Sequence, residues 1–413
     1  MKMTERLRAF IREHADDDVL QLILDAPRYK DVDVRFAAEQ IRARRQVKDK
    51  LPLWYADDRL IYPSSLALEQ CSSEQTALYK QRLVDQEDRV CDLTGGLGVD
   101  AYFLSLKVRS LIYVERNTLY CEVAACNMEQ LGARNVQILN DDAVVLLTKN
   151  PDALSGVNVI YLDPARRGAG KKRVFALEDC EPDLTQLWPL LCRNRNKIIV
   201  KLSPMLDISR LLSQLSNIRE IHVVSVRNDC KELLVVADAF CMPGDPLHPG
   251  RSGDGSDVRI HCANFTTSGG EQSFRFLYGE EKAALAAFAA EVGHYLYEPN
   301  GSILKAGAYK TVSSRYGLEK LHISSHLYTS DTYLPSFAGR IFEVNRVYKF
   351  ENRLCRSLSM QIPRANIAVR NFPLSVDELR KRTGITDGGD VYLFASMLSG
   401  NKKVLIECRK VHA

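Results

Sequence analysis

Two short runs set chemically capable residues at the ends of apolar segments. Asp92-Leu-Thr-Gly-Gly-Leu-Gly98 places a carboxylate directly before a hydroxyl and three glycines, and Asp163-Pro-Ala-Arg-Arg-Gly168 places a carboxylate and a proline carbonyl after Val157-Asn-Val-Ile-Tyr-Leu162. The small residues Thr94, Gly95, Gly96 and Gly98 let a backbone turn tightly and approach a ligand at the head of a helix. Asp163 and Pro164 offer two acceptors that can hold an exocyclic amine in line with an electrophilic carbon. Group transfer of that kind needs mainly alignment, because an attacking amine can lose its proton after the bond forms.

The first run suits two nucleotide cofactors. Gly96-Leu-Gly-Val-Asp-Ala101 fits a loose dinucleotide fingerprint, with Glu115 where a ribose acid would lie, so a nicotinamide-dependent oxidoreductase competes. Asp92, however, would repel a pyrophosphate and suits the cationic amino acid end of S-adenosylmethionine. A helical region also precedes the glycine turn, where dinucleotide enzymes usually begin with the strand. S-adenosyl-L-methionine is therefore the expected cofactor. Glu115 can accept both ribose hydroxyls, with Arg116 beside it, and Asp142 with Ala143 falls where an acid would meet the adenine amine. Asp141 is an equal candidate by charge.

Arg166, Arg167, Lys171, Lys172 and Arg173 surround two glycines in a loop suited to gripping phosphates, or forming only a solvated basic surface. Amino-methyltransferases of nucleic acids often carry two prolines and an aromatic residue at this place. Here Ala165 and Arg166 replace the second proline and the ring, so base stacking would fall to Trp54, Tyr55 or Phe175.

These runs need strand ends to present them. Short apolar segments at Arg89 to Asp92, Ser110 to Glu115, Val136 to Leu139, Val157 to Asp163, Lys197 to Leu202, Glu220 to Val226 and Glu232 to Ala237 alternate with helical patterns, which implies a parallel sheet covered on both faces. Only Arg227-Asn-Asp-Cys-Lys231 separates the last two, so they should form an antiparallel hairpin. Helical spacing recurs from Thr4 to about Lys50, and Ser72 with Gln75 looks like a capping box opening a helix to about Val84. The Pro- and Gly-rich run from Met242 to Ser256 reads as a linker. Beyond it, Val258 to Tyr278 looks like β structure, Glu281 to Val292 like an alanine-rich helix, and Ile341 to Ala413 like mixed α and β. The expected organisation is a helical region at 1–85, a catalytic α/β domain at 86–240, a linker and mixed α/β region at 241–337, and a last domain at 338–413.

Among 413 residues the net charge is +4, but residues 338–413 hold 14 basic and 7 acidic side chains, a local excess suited to a polyanion such as RNA. No apolar run is long enough for a membrane span, and no secretion signal opens the chain. The 11 cysteines never form Cys-x-x-Cys, which fits a reducing cytoplasm. No metal is expected, His322 and His326 notwithstanding, since no acid follows them in a zincin pattern. Glu298-Pro-Asn-Gly-Ser302 reads as a plain connection or a substrate-contacting loop. Serine nucleophile elbows and Walker loops are absent from the sequence.

With Asp92 to Asp100, Glu115 and Asp163 to Arg167 in place, the chain resembles a bacterial family of class I S-adenosylmethionine-dependent methyltransferases with a C-terminal THUMP-like domain. It is distantly similar to trimethylguanosine synthases. The resemblance runs from Lys50-Leu-Pro-Leu-Trp54 to Ala365-Asn-Ile-Ala-Val-Arg-Asn-Phe-Pro-Leu374 and Asp387-Gly-Gly-Asp-Val-Tyr-Leu-Phe-Ala395. It implies a Rossmann-like seven-stranded core, a C-terminal α+β THUMP-like domain, an RNA substrate (rRNA or tRNA), and a role for Thr76 in covering the donor. An RNA-binding protein that keeps this fold without its chemistry is the alternative from another class.

Overall fold

The computed structural model describes residues 3–149, 154–166, 176–193, 196–239, 255–355 and 357–411. The basic loop residues Arg167 to Arg173, Phe175 and most of the Pro- and Gly-rich linker lie outside them. Two compact units emerge, Met1–Ile218 with Leu234–Gly250, and Arg219–Leu233 with Arg251–Ala413.

The first unit opens with α1 (Glu5–Glu13), α2 (Val19–Leu24) and α3 (Val34–Val47), which bury Phe10, Ile11, Leu22, Ala38 and Ile41 in a small core of their own. Each starts at a side-chain cap: Thr4, Asp18 and Asp33 accept from backbone N–H groups of the first turn. Then come α4 (Pro52–Ala56), α5 (Ser65–Gln70) and α6 (Glu74–Lys80). The cap of α6 is Ser73, not the expected Ser72. Ser72 is buried, and its hydroxyl bonds Asp100 and Lys80 instead.

From there strand and helix alternate: β1 (Arg89–Asp92), α7 (Val99–Ser105), β2 (Ser110–Glu115), α8 (Thr118–Gln130), β3 (Val136–Asn140), α9 (Ala143–Lys149) and β4 (Val159–Leu162). A two-stranded ribbon of β5 (Ala165–Arg166) and β6 (Cys180–Glu181) leads to α10 (Leu184–Arg193), β7 (Lys197–Leu202) and α11 (Ile208–Gln214). Strands β2 and β4 flank β1, β3 lies beside β2 and β7 beside β4, all parallel. Helical crossovers make this the natural pairing. All four residues of β4 are buried, as expected for a strand covered on both faces.

Beyond β7 the order continues to β9 (Asp229–Asp238), whose C-terminal half, from Leu234, belongs to this unit. Its N-terminal half neighbours β8 (Ile218–Val226) in the second unit. The connection is tighter than the sequence suggested: only Arg227 and Asn228 intervene, with φ of 54° and 66°. Positive φ at both central residues gives the twist that a two-residue antiparallel hairpin demands.

In the second unit β10 (Arg259–Phe265) runs parallel to β8, and β11 (Glu271–Leu277) antiparallel to β10. Next come α12 (Tyr278–Ala283), β12 (Ala287–Phe288), β13 (Tyr295–Pro299), α13 (Gly301–Ala306), α14 (Tyr309–Tyr316), β14 (Glu319–Lys320) and β15 (Tyr328–Ser330). The chain closes with β16 (Gly339–Lys349), α15 (Asn352–Cys355), α16 (Leu358–Gln361), β17 (Asn366–Val369), α17 (Val376–Thr383), β18 (Val391–Met397) and β19 (Lys403–Lys410). Its second sheet has the order β12-β14-β15-β13-β16-β19-β18-β17. Alternate residues of β18 fill the cores on its two faces, Phe394 with Leu296 and Phe342, and Leu393 with Leu358 and Leu379. The alanine-rich helix expected to reach Val292 stops at Ala283, because Ala287 and Phe288 pair with Glu319 and Lys320 of β14.

Candidate functional site

The first unit brings both chemically capable runs to the carboxyl ends of adjacent strands. The backbone N–H of Leu93 donates to Tyr161 O at 3.0 Å, and that of Asp163 donates to Thr94 Oγ1 at 2.6 Å. Such strand-end crevices are where open α/β sheets bind ligands.

The glycine turn is held from its own sheet. Gly95 N–H donates to Val114 O at 2.9 Å, and Tyr113 OH donates to Gly96 O at 2.6 Å. A methyl group on Gly95 would sit 2.2 Å from the Tyr113 ring, so this glycine answers to packing beneath the turn rather than only to a ligand above it. Gly98 opens α7 with φ of 83°, a conformation that few other residues adopt without strain. Glu115 Oε2 accepts from Gly96 N–H at 3.0 Å and Oε1 from Asn117 N–H at 2.8 Å. Both oxygens are thereby oriented, each keeping a lone pair. Across β2 and β3, Glu115 is the partner of Asn140, so the Asn140-Asp141-Asp142 corner lies at the same sheet edge.

Asp142 Oδ1 caps α9, accepting from Val144 and Val145 N–H at 2.9 and 3.1 Å, whereas Asp141 Oδ1 accepts from the N–H of Asp142. Ala143 is buried. Arg116 is exposed and pairs with Glu181 at 2.7 Å, which holds its guanidinium above its ordinary pKa. Thr76 is buried in the first turn of α6, with its hydroxyl donated to Ser73 O at 3.1 Å.

Asp92 is 1% exposed, and its Oδ1 accepts from Thr94 N–H at 3.0 Å. Burial pushes its pKa well above 3.8, and the acids Asp100, Asp163 and Glu115 push it further. A cation placed here would relieve that cost, and a pyrophosphate would add to it. The converging carboxylates therefore disfavour the dinucleotide reading.

Beneath the strand ends lies a network that the sequence did not disclose. Lys80 on α6 pairs with Asp100 on α7 at 3.2 Å, and Asp100 Oδ2 accepts from Ser72 Oγ at 2.8 Å and Tyr161 OH at 2.7 Å. Lys201 on β7 bonds Asp163 Oδ2. Desolvation raises the Asp163 pKa and the Lys201 ammonium partly offsets it. A lysine inside the apolar run Ile198-Ile-Val-Lys-Leu202 was the available signal. Its partner lies 38 residues away and could not be read from it.

Pro164 is half-buried, and Arg166 pairs through its backbone with Cys180 in the ribbon. Of the expected stacking rings, Trp54 is fully buried against Tyr102, which removes it as a base platform. Tyr55 is partly covered, with the Arg44 guanidinium 5.1 Å from its ring centre. In the second unit, Glu298 ends up buried between Arg340 and Arg370, and Asn300 caps α13, so that stretch serves as a structural corner. His322 bonds Asn371 at 2.8 Å, while His326 stacks on Tyr309 at 3.7 Å with its buried Nδ1 lacking a hydrogen-bond partner.

A ferredoxin-like domain model matches residues 295–337, and a THUMP domain-like model matches residues 339–410. The solved structure described as "putative methyltransferase from Porphyromonas gingivalis W83" is 35% identical, with 100% of both chains covered and a TM-score of 0.88. The chain belongs to this methyltransferase family. It is a family of class I S-adenosylmethionine-dependent methyltransferases ending in a THUMP-like domain. An uncharacterized S-adenosylmethionine-dependent methyltransferase of Mycobacterium tuberculosis H37Rv is 28% identical over 227 residues, 54% of this chain and 56% of its own. The chain thus spans about half the length of the curated relatives it matches. Over 86 residues, 21% of this chain and 20% of the other, it is 36% identical to the 23S rRNA (uracil(1939)-C(5))-methyltransferase RlmD of Salmonella typhimurium.

The donor of this methyltransferase family fits the residues present. A cation would offset the burial of Asp92, Gly96 and Gly98 adopt positive φ at a helix start, and Glu115 is held as an acceptor beside them. Among the described residues, no helix is long and apolar enough to cross a membrane.

Proposed function

We propose that this protein transfers a methyl group from S-adenosylmethionine to a base of an RNA, with an exocyclic amine as acceptor. The observation that supports this reading is the hydrogen bond from the Asp163 backbone N–H to Thr94 Oγ1, which joins the end of the fourth strand to the glycine turn. When bound, the donor supplies an electrophilic methyl on a sulfonium. Asp92 would face its ammonium, Glu115 its ribose hydroxyls, and Asp142 or Asp141 its adenine. Asp163 and the carbonyl of Pro164 would accept hydrogens of the amine and turn its lone pair toward the methyl. Lys201 would keep the Asp163 carboxylate in place, and Arg166 would meet phosphate. The RNA reading draws support from the THUMP-like match, the basic balance of residues 338–413 and the local likeness to an rRNA methyltransferase.

Incubation with labelled donor and fractionated cellular RNA, followed by digestion to nucleosides, tests it. Label should appear in one modified nucleoside and vanish in Asp163→Ala while donor binding persists. Donor binding with no RNA fraction labelled would sink the RNA assignment, and undiminished turnover by the variant would remove Asp163 from its role.

A further inference from the structure

The second unit holds a cluster of metal-ligand side chains that the methyl-transfer chemistry does not use. Strands β8 and β10 are parallel, with Glu220 opposite Arg259 and His222 opposite His261. Residues two apart on a strand share a face, and directly paired residues stand side by side. Glu220, His222 and His261 therefore converge, and their ligand atoms all lie within 4.8 Å of one another. Glu220 Oε2 is 3.1 Å from His222 Nε2 and 3.5 Å from His261 Nε2. Those separations match the edges of a tetrahedron whose bonds are about 2.0–2.1 Å long, the lengths at which zinc holds imidazole and carboxylate.

We propose that Glu220, His222 and His261 bind a first-row divalent cation such as zinc, leaving a fourth position to water. Two observations favour a cation over a packed histidine pair. First, His261 Nε2 is buried without a hydrogen-bond partner; the two rings stack at 8° with centroids 4.4 Å apart, so binding requires one imidazole to rotate about its Cβ–Cγ bond until both lone pairs meet the ion. Buried polar atoms are seldom left unsatisfied, and here the orphaned atom lies 3.5 Å from a carboxylate oxygen. Second, the far oxygen of the carboxylate is fixed: Glu220 Oε1 is held by Arg259 at 2.7 Å and Arg219 at 3.3 Å, which aims Oε2 at the two imidazoles. Supporting partners of this kind orient metal ligands. The two guanidiniums, with Arg275 opposite His261 on β11, also add positive charge, so the site should bind less tightly than a structural cysteine site. Nitrogen and oxygen donors in this ratio select zinc, cobalt or nickel over magnesium or calcium.

The test uses the tag-free full chain, stripped with chelator and titrated with Co2+ as a spectroscopic probe. We expect one Co2+ per chain with the intense absorption of a low-coordinate site, displaced by Zn2+. Glu220→Gln and His261→Gln should each weaken binding roughly tenfold or more. His294→Gln, at an exposed histidine elsewhere in the unit, should change nothing. Should the variants fold poorly, the wild-type cobalt form decides the matter by proton NMR, because two exchangeable, hyperfine-shifted imidazole N–H signals are required. A wild-type chain without low-coordinate Co2+, or equal binding by His261→Gln, would overturn the proposal.

Discussion

Lys80 and Asp100 face each other at 3.2 Å with side chains 1% and 9% exposed, one on the helix before the first strand and the other on the helix after the glycine turn. Removing one partner strands a buried charge, which typically costs about 3–5 kcal/mol, whereas replacing both with apolar groups can be nearly neutral. Lys80→Met and Asp100→Leu should each lower the denaturation midpoint sharply, and the double variant should recover much of the loss. Urea titrations of the three variants read this out, and additive losses would show that the pair acts as two independent residues.

Gly95 is tied to Tyr113 by shape. Overpacking typically costs about 1–3 kcal/mol, and here the added methyl would meet the ring directly under the turn. Gly95→Ala should weaken donor binding by calorimetry, and Gly95→Ala with Tyr113→Leu should regain stability but not full affinity, since the Tyr113 hydroxyl also fixes Gly96. Wild-type affinity in the single variant would refute this account of the turn.

Asp92 predicts a pH dependence with a definite sign. Its folded pKa is raised above 3.8, so the stability it contributes is full below that value and is lost as pH rises through the folded pKa. Asp92→Asn should raise stability at neutral pH and flatten the fall in stability that begins as pH rises above 3.8. The donor's ammonium favours the ionised acid, so the same variant should weaken donor binding roughly tenfold or more, the scale of a lost hydrogen bond to a charged group. Thermal melts across pH, paired with donor titrations, check both halves. A variant less stable at neutral pH, or one binding donor normally, would contradict the assignment.

The parallel strands were legible because both faces of the sheet are covered, which leaves apolar runs such as Val159–Leu162 that no surface pattern would produce. Asp92, Glu115 and Asp163 were legible because each ends such a run. Long-range competition hid the rest. Ser72 looked like a helix cap until Asp100, 28 residues on, claimed its hydroxyl, and the helical propensity of Ala284 to Ala290 yielded to pairing with β14. Likewise, Glu220 and His222 show only strand alternation, and their convergence on His261 depends on a pairing register that no local pattern states.

If Asp163 orients the acceptor as proposed, Lys201 acts as its positioning residue, and its loss should separate alignment from binding. Its ammonium bonds one oxygen of Asp163 and lowers a pKa that desolvation raises. Lys201→Met should release the carboxylate and push its pKa higher, so the acid limb of the pH–rate profile should move toward higher pH. Misplacement of about 1 Å can cost roughly a hundredfold in rate, so kcat should fall on that scale while donor affinity holds. Lys201→Arg should restore part of the rate and move the limb back, since it returns the cation with altered geometry. A purely structural lysine would lower stability and donor binding together and leave the pH profile where it was. That pattern would return Asp163 to the status of a strand-end acid without a positioned partner.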